Sequence, residues 1–416
     1  MNNSVAQRVF KTAAGVGTEQ VPDSRNFNLC KTGAAKRLLI DIQELKPAIA
    51  ARAAEFEAER RLPDDVVDVL KAIGVFRLFV PLSHGGLELD LPSGLSIITA
   101  LARLDGSVGW TAMIGSGGPL LAALLPRQTY DRLYRGGPDV TIAGSTQPVG
   151  RAEATDGGWR VAGRWPFASG CRHADWMGGL CVMTEGGKQL ARPDGAKGPL
   201  VRGFFIPASD WQIEDTWHAG GLKGTGSHHI VLTDKVVPAA HFFDLENSAQ
   251  ALPGPLYQSV REVLPLFHGA FAVGMARGAL DELIELAGTG RQQLHAAVPM
   301  RDSEIFQAEL GRVAADLRAA EALQHAQAKS QWRRALAGTL KDDASLAETS
   351  QAGVWIATTC VRVVDRCFAL AGGSAVYETS PLQRRLRDMH VAAQHAMVHQ
   401  RHYLAAGKHL LRPSSP

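Results

Sequence analysis

The residues between Gly158 and Trp176 hold the densest set of groups suited to a flat ligand. Trp159, Val161, Trp165 and Phe167 fall at odd positions, the period of an extended strand, with a bend at Gly163. Pro166 has no backbone donor, so this part of the strand is expected at a sheet edge or in a bulge. An aromatic wall, then the Ser169 hydroxyl, then Gly170, suits one face of a planar heteroaromatic molecule; an ordinary strand with buried tryptophans has the same pattern. His173, four residues past Ser169, is placed either to meet a substrate or to close a turn. Near the far end of the chain, His395, His399 and His402 recur at spacings that put them on one helical face. Imidazole titrates near neutrality and can hold or move a proton there. The triplet also invites a metal reading, but no His-Glu-x-x-His pattern or nearby carboxylate accompanies it, and no metal is expected.

The elements that must position these groups belong to a chain of 416 residues, enough for two or three domains. Its hydrophobic fraction of 45% and charged fraction of 20% are those of a soluble globular protein. A net charge of +3 is near neutral for this size and argues against a nucleic-acid surface or a membrane-binding one. The five cysteines are scattered without a Cys-x-x-Cys pair, which fits a reducing compartment. The longest apolar run, Pro119 to Pro126, is far short of the roughly 18 residues that span a bilayer, and no signal peptide is visible. A soluble, cytoplasmic protein is expected.

Residues 1–34 are polar and aperiodic and read as a flexible tail. Helical spacing runs through 35–137, with starts at Pro63-Asp-Asp65 and Asp90-Leu-Pro-Ser93 and an apolar helix from Ser107 interrupted at Gly115–Gly118. Residues 138–250 hold short β segments punctuated by Gly-Gly pairs, with no helical pattern between them, and are expected to form an antiparallel β-domain. Residues 251–416 return to helices: Val263–Leu286, Phe306–Ala328, Leu346–Ala371 and Arg384–His409, a four-helix bundle. No Gly-x-Gly-x-x-Gly joins a strand to a helix, so a dinucleotide-binding unit is not expected. The fold class is mainly α with a central β-domain.

Five motifs occur in order: Leu104-Asp-Gly-Ser-Val-Gly-Trp110, Trp165-Pro-Phe-Ala-Ser-Gly170, Gly221-Leu-Lys-Gly-Thr-Gly-Ser227, Ala371-Gly-Gly-Ser-Ala-Val-Tyr377 and Ser380-Pro-Leu-Gln-Arg-Arg-Leu-Arg-Asp388. On these the chain, from about residue 36 onward, resembles the acyl-CoA dehydrogenase superfamily. Within it the likeness is to oxygenase components of two-component flavin monooxygenases, of the 4-hydroxyphenylacetate, dibenzothiophene and indole-3-acetate type. The resemblance implies a flavin, FAD or FMN, against Trp165, Phe167, Ala168 and Ser169, with Ser169 near its N5. Gly144, Ser145 and Gln147 would form a second flavin-contacting segment. Arg301, Gln307, Gly372, Gly373, Ser374 and Tyr377 would complete a neighbour's flavin site in a homotetramer, although Gly372-Gly373 also fits a plain helix end. Trp110 and Ser116 are the expected substrate contacts.

Many superfamily dehydrogenases carry a carboxylate base shortly after an Arg-Asp pair. Here Arg387-Asp388 is followed by no further Asp or Glu, and Ala396 holds the usual place with His395 before it. That favours an oxygenase, with a reduced flavin (FADH2 or FMNH2) supplied by a separate NAD(P)H-dependent reductase and O2 forming a C4a-hydroperoxide. His395 is the first candidate for its proton chemistry, ahead of His173, and Ser169 the flavin-facing hydroxyl. The expected substrate is a small phenolic or indolic aromatic. An acyl-CoA dehydrogenase or oxidase and an inactive, flavin-free scaffold are the alternatives.

Overall fold

The computed structural model describes Cys30, residues 32–246 and residues 250–411. Most of the expected tail therefore lies outside the described residues. Its described end belongs to the folded protein: Cys30 is buried, and the Thr32 hydroxyl accepts from Ala35 N, so the first helix begins at Gly33. This helix, α1 (Gly33–Glu59), buries Leu38, Leu39, Ile42, Leu45, Ile49 and Phe56 on one side. Helix α2 (Asp64–Ile73) carries Asp64 and Asp65 in its first turn, where they favour the dipole, and ends at Gly74. Helix α3 (Leu91–Leu104) is capped by Asp90, and α4 (Gly106–Ala122) by Asp105, whose carboxylate accepts from Ser107 N and Val108 N. Helix α5 (Arg127–Leu133) leads into the sheet.

Helix α4 runs unbroken through Gly115–Gly118, where an interruption was expected. These glycines serve packing instead. A Cβ on Gly115 would stand 2.6 Å from Phe76, and one on Gly118 2.6 Å from Ile142, so the helix lies closer to its neighbours than alanine allows.

The strands are β1 (Ile142–Thr155), β2 (Gly158–Ala168), β3 (Trp176–Glu185), β4 (Lys188–Gln189), β5 (Val201–Pro207), β6 (Gln212–Glu214), β7 (His228–Val237) and β8 (Phe242–Phe243). They form one sheet in the order β6-β7-β2-β1-β3-β5-β8, with β4 beside β3. The sheet is mixed, not antiparallel as expected, because the chain passes over β2 and brings β3 back parallel to β1. Of the two places expected for Pro166 it takes the bulge: β2 lies between β1 and β7, and the missing donor falls in a register shift between Trp165 and Ala168.

After the sheet come α6 (Leu264–Gly288), α7 (Glu304–Leu336) and α8 (Asp343–Ala371), with α6 packed against both α3 and α8. The last stretch is not the single helix expected over Arg384–His409. It divides into α9 (Pro381–Ala392), a tight turn at Ala396–Val398, and α10 (His402–Leu410). His395 causes the break, since its backbone is extended and its Nδ1 accepts from Met397 N, diverting the chain from the helix. The helices on either side of the sheet bury one continuous apolar core, and the sheet has a second. Among the described residues no helix is long and apolar enough to cross a membrane.

The two bodies are joined at Asp388, on α9. Its Oδ1 accepts from Leu222 N at 2.5 Å, and its side chain lies against Gly106 at the start of α4. The closeness requires glycine on both sides: a Cβ on Gly221 would stand 2.3 Å from Arg387 O, and one on Gly106 2.6 Å from Asp388 Oδ2. Three residues earlier, Arg385 is buried, pairs with Glu282 at 2.7 Å and donates to the carbonyls of Ala102, Arg103 and Leu104 at the end of α3.

Burial, and next the neighbouring Asp105, push the Asp388 carboxyl up to about 7. Between the ordinary carboxylate range and that value the unfolded chain releases the proton while the folded chain keeps it. This group therefore makes stability fall as pH rises through that window. Asp388→Asn, which mimics the protonated acid, is expected to flatten the slope by up to about 1.4 kcal/mol per pH unit. Urea unfolding at about pH 5 and about pH 7.5 measures it; a variant with the wild-type slope contradicts the assignment.

Candidate active site

Trp165, read as part of the ligand wall, is wholly buried in the second core. Its indole packs against Gly150, Gly163 and Gly179, and its Nε1 donates to Leu180 O at 2.8 Å. The bulge at Pro166 reverses the strand's alternation, so Trp165 turns inward and Phe167 outward. Phe167 is 55% exposed, with its ring edge-on to Trp217 and His229. Its φ of +63° is one that side chains other than glycine rarely adopt. Ala168 is buried between these two opposed faces.

Ser169, next in the chain, is 6% exposed and stands at the head of an ordered set of hydroxyls. Trp110 Nε1 donates to Ser169 Oγ at 3.0 Å, Ser169 Oγ lies 2.7 Å from Ser227 Oγ, and Ser227 Oγ lies 2.7 Å from Thr225 Oγ1. Thr225 Oγ1 lies 2.8 Å from Leu222 O, a carbonyl that also accepts from Trp217 Nε1 and Thr225 N. With the Thr225 proton on the carbonyl, Ser227 donates to Thr225 and Ser169 to Ser227, and Ser169 keeps one lone pair free as an acceptor. With that proton on Ser227 the direction reverses, and Ser169 is a donor.

Trp110 joins this series to two histidines. Its ring is edge-on to His268 at 5.5 Å, to Phe271 at 5.1 Å and to His395 at 5.7 Å. His268 and His395 stack on each other with centroids 4.2 Å apart and planes 25° from parallel. Burial draws the His395 imidazole down to about 4, and burial followed by the adjacent His395 draws His268 well below its ordinary value. Both rings are neutral at neutral pH.

Ser116 is fully buried, and its hydroxyl turns back to Met113 O at 3.4 Å, so it is not brought to this cluster. His173 is not there either: its Nδ1 lies 3.5 Å from Asp64 Oδ1 on α2, and burial, then Arg61, draws it down to about 4. Of the two readings for His173, the structure shows it in the turn Cys171–His173. His395, His399 and His402 share no helical face, since the chain is extended at His395 and His399. Among the described residues no cluster of three or more His, Cys, Asp or Glu is arranged to hold a metal.

Gly144, Ser145 and Gln147 lie on β1 where its pairing with β3 shifts register, with Gln147 exposed and Gly144 close against Gly178 O. Arg301, Gln307, Gly373 and Tyr377 are exposed, and Gly372 and Ser374 half-buried. Gln307 donates to Arg301 O, and Ser374 to Ala371 O. No described hydrogen bond or ring contact links any of these residues to the Ser169–His395 cluster within one chain.

His268, Phe271 and Ser227 were missed in the sequence. His268 had a signal, a lone imidazole inside the apolar run Leu264–Ala272, while Ser227 lay within a quoted motif whose hydroxyls were not weighed.

Known proteins are similar to this chain over most of its length. Residues 43–125 match the acyl-CoA dehydrogenase N-terminal domain, and residues 266–400 its C-terminal domain. The chain is 33% identical to indole-3-acetate monooxygenase of Pseudomonas putida, over 86% of this chain and 89% of that protein. It is similar to the structure of the HsaA monooxygenase from M. tuberculosis, with a TM-score of 0.83, 28% identity, and coverage of 92% of this chain and 99% of that one. It is similar as well to XiaF from Streptomyces sp. in complex with FADH2 and glycerol, with a TM-score of 0.84, 27% identity, and coverage of 94% and 98%.

Ser169→Ala leaves the buried Trp110 N–H without its acceptor. The expected loss of stability is about 1–3 kcal/mol, more than the roughly 1 kcal/mol of an ordinary exchanged hydrogen bond. Urea unfolding measures it, and an unchanged midpoint would show that the Trp110–Ser169 bond is not made in solution.

Proposed function

The chain belongs to the acyl-CoA dehydrogenase family, and from that premise we propose that it is the oxygenase component of a two-component flavin-dependent monooxygenase acting on a small aromatic molecule, phenolic or indolic. The observation that carries this reading is the buried hydroxyl series headed by Ser169. We take its direction to be the one in which Thr225 donates to Leu222 O and Ser169 is an acceptor; N5 of a flavin bears a hydrogen only when the flavin is reduced. In that direction the site favours the reduced form, as an enzyme supplied by a separate reductase requires. A dehydrogenase starts from oxidised flavin, whose N5 is an acceptor and would face the Ser169 lone pair.

Phe167 fits the group as well: a flat ring held outward at a strained φ, two residues before Ser169. Bound there, reduced flavin supplies the two electrons that let O2 give one oxygen atom to the substrate and the other to water. Trp110 and Phe271 provide apolar walls for an aromatic substrate and exclude water. His395 presents a hydrogen-bond donor at Nε2, because its Nδ1 already accepts from Met397 N at 3.2 Å. The exposed Arg301, Gln307, Gly373 and Tyr377 are free to reach a neighbouring subunit's flavin in a homotetramer. The protein works in the cytoplasm beside an NAD(P)H-dependent flavin reductase.

The test is flavin affinity measured anaerobically in both redox states. Wild type is expected to bind reduced flavin more tightly than oxidised. Ser227→Ala frees the Ser169 hydroxyl to turn outward as a donor, and is expected to narrow that preference by about 2- to 10-fold, one neutral hydrogen bond. Equal affinity for both forms in wild type overturns the reading. His395→Ala is expected to lower hydroxylation by about 10²–10³-fold, the usual worth of one positioned donor, with reduced-flavin affinity close to wild type. Product yield per flavin consumed, followed after rapid mixing with O2, measures this; undiminished yield would remove His395 from the chemistry.

A further inference from the structure

We propose that His268, and not His395, is the group that accepts the substrate's proton. This deepens the proposed function and rests on it. His395 cannot serve as the acceptor in its neutral form. Its Nδ1 lone pair is engaged by the Met397 N–H at 3.2 Å, so its single ring proton sits on Nε2 and no basic nitrogen remains free.

His268 is in the opposite position. It lies on α6 among Phe267, Gly269, Ala270 and Phe271, is 7% exposed, and makes no hydrogen bond among the described residues. Its ring contacts, the stack on His395 and the edge-on Trp110, are not hydrogen bonds to either nitrogen. One of its nitrogens is always bare in the neutral ring. The other group whose charge bears on it is His395 itself, and no carboxylate does so. Burial keeps that nitrogen unprotonated at neutral pH and also makes it a weaker base than a free imidazole, so it serves as a transient acceptor. Stacked at 4.2 Å, the two rings hold at most one positive charge between them, and with the His395 Nδ1 lone pair engaged that charge falls on His268.

The step balances as follows. The O–H bond of a phenol breaks, and its proton bonds to the bare nitrogen of His268. The electron pair left behind flows into the ring, whose carbon bonds one oxygen atom derived from O2 as the O–O bond breaks. The two electrons and the second oxygen are accounted for by reduced flavin and water. The imidazolium then returns its proton to the product or to solvent.

The experiment has two arms. In the first, imidazole nitrogen chemical shifts of ¹⁵N-histidine-labelled protein are read without ligand. The expected result is a His395 protonated on Nε2 alone and a neutral His268, assigned with His395→Gln and His268→Gln. A His395 protonated on Nδ1 would overturn the proposal. In the second, resorcinol and indole-3-acetate serve as probe substrates for wild type, His268→Phe and His268→Gln. The Phe variant keeps a flat stacked ring without nitrogen and is expected to lose about 10²–10⁴-fold in turnover, with flavin and probe affinity retained. The Gln variant, which offers a hydrogen-bond acceptor but no base, is expected to stay as low as the Phe variant. Wild-type turnover in either fully folded variant overturns the proposal. If wild type oxygenates neither probe, the proposed function fails, and the nitrogen shifts still decide between the two histidines.

Discussion

Asp388 is the point on which the arrangement depends. A buried carboxyl holds the Leu222 N–H, lies against the first residue of α4, and belongs to α9, so one side chain fixes the sheet's longest loop, a helix from the first half of the chain and a helix from the last. The loop it anchors carries Leu222 O, Thr225 and Ser227, the far end of the hydroxyl series. The helix it touches carries Trp110. Three residues after α9 ends at Ala392 the chain turns at His395. Loss of this contact would separate the two bodies at the place where Ser169 and the histidines meet. It also explains why Gly106 and Gly221 have no side chains: each leaves the space that a backbone or a carboxyl enters.

A second constraint is strain. Phe167 and Leu222 both hold positive φ without being glycine, at +63° and +49°. Such residues cost of order 1–3 kcal/mol each and persist where the surroundings impose them. Phe167 is imposed by the bulge at Pro166, and Leu222 by the bond from its N–H to Asp388. The first turns an aromatic ring outward, and the second aims a carbonyl at Thr225. Both distortions lie in the segments that carry the hydroxyl series, Phe167 two residues before Ser169 and Leu222 three before Thr225.

Much of this was legible in the sequence, and the parts that were not share a cause. The helix start at Asp90, one near Ser107 and the strand over 158–168 follow from caps and periodic spacing, which are local. The family resemblance likewise singles out Ser169 and His395, which the structure brings to the same Trp110 ring. What failed was any inference that needed a partner far away in the chain. Trp165 and Phe167 look equivalent in a period of two, and only the bulge separates the buried one from the exposed one. Helix α4 looks interrupted by its glycines until Phe76 and Ile142 are seen to need the space. His399 and His402 share a helical face with His395 on paper, but His395 bonds the backbone two residues on and ends the helix. His268 has no local mark other than being polar in an apolar run, and its meaning depends on a ring 127 positions later in sequence.

The claim at the centre of this account is that the chain joins reduced flavin, O2 and an aromatic molecule in one site. It is tested most directly by turnover under ¹⁸O2, with chemically reduced FAD or FMN and indole-3-acetate as the probe substrate. The account predicts a product carrying one ¹⁸O atom, formed in proportion to flavin oxidised, with the second label in water. Hydrogen peroxide formed in full proportion to the flavin, with no label in the aromatic, would contradict it.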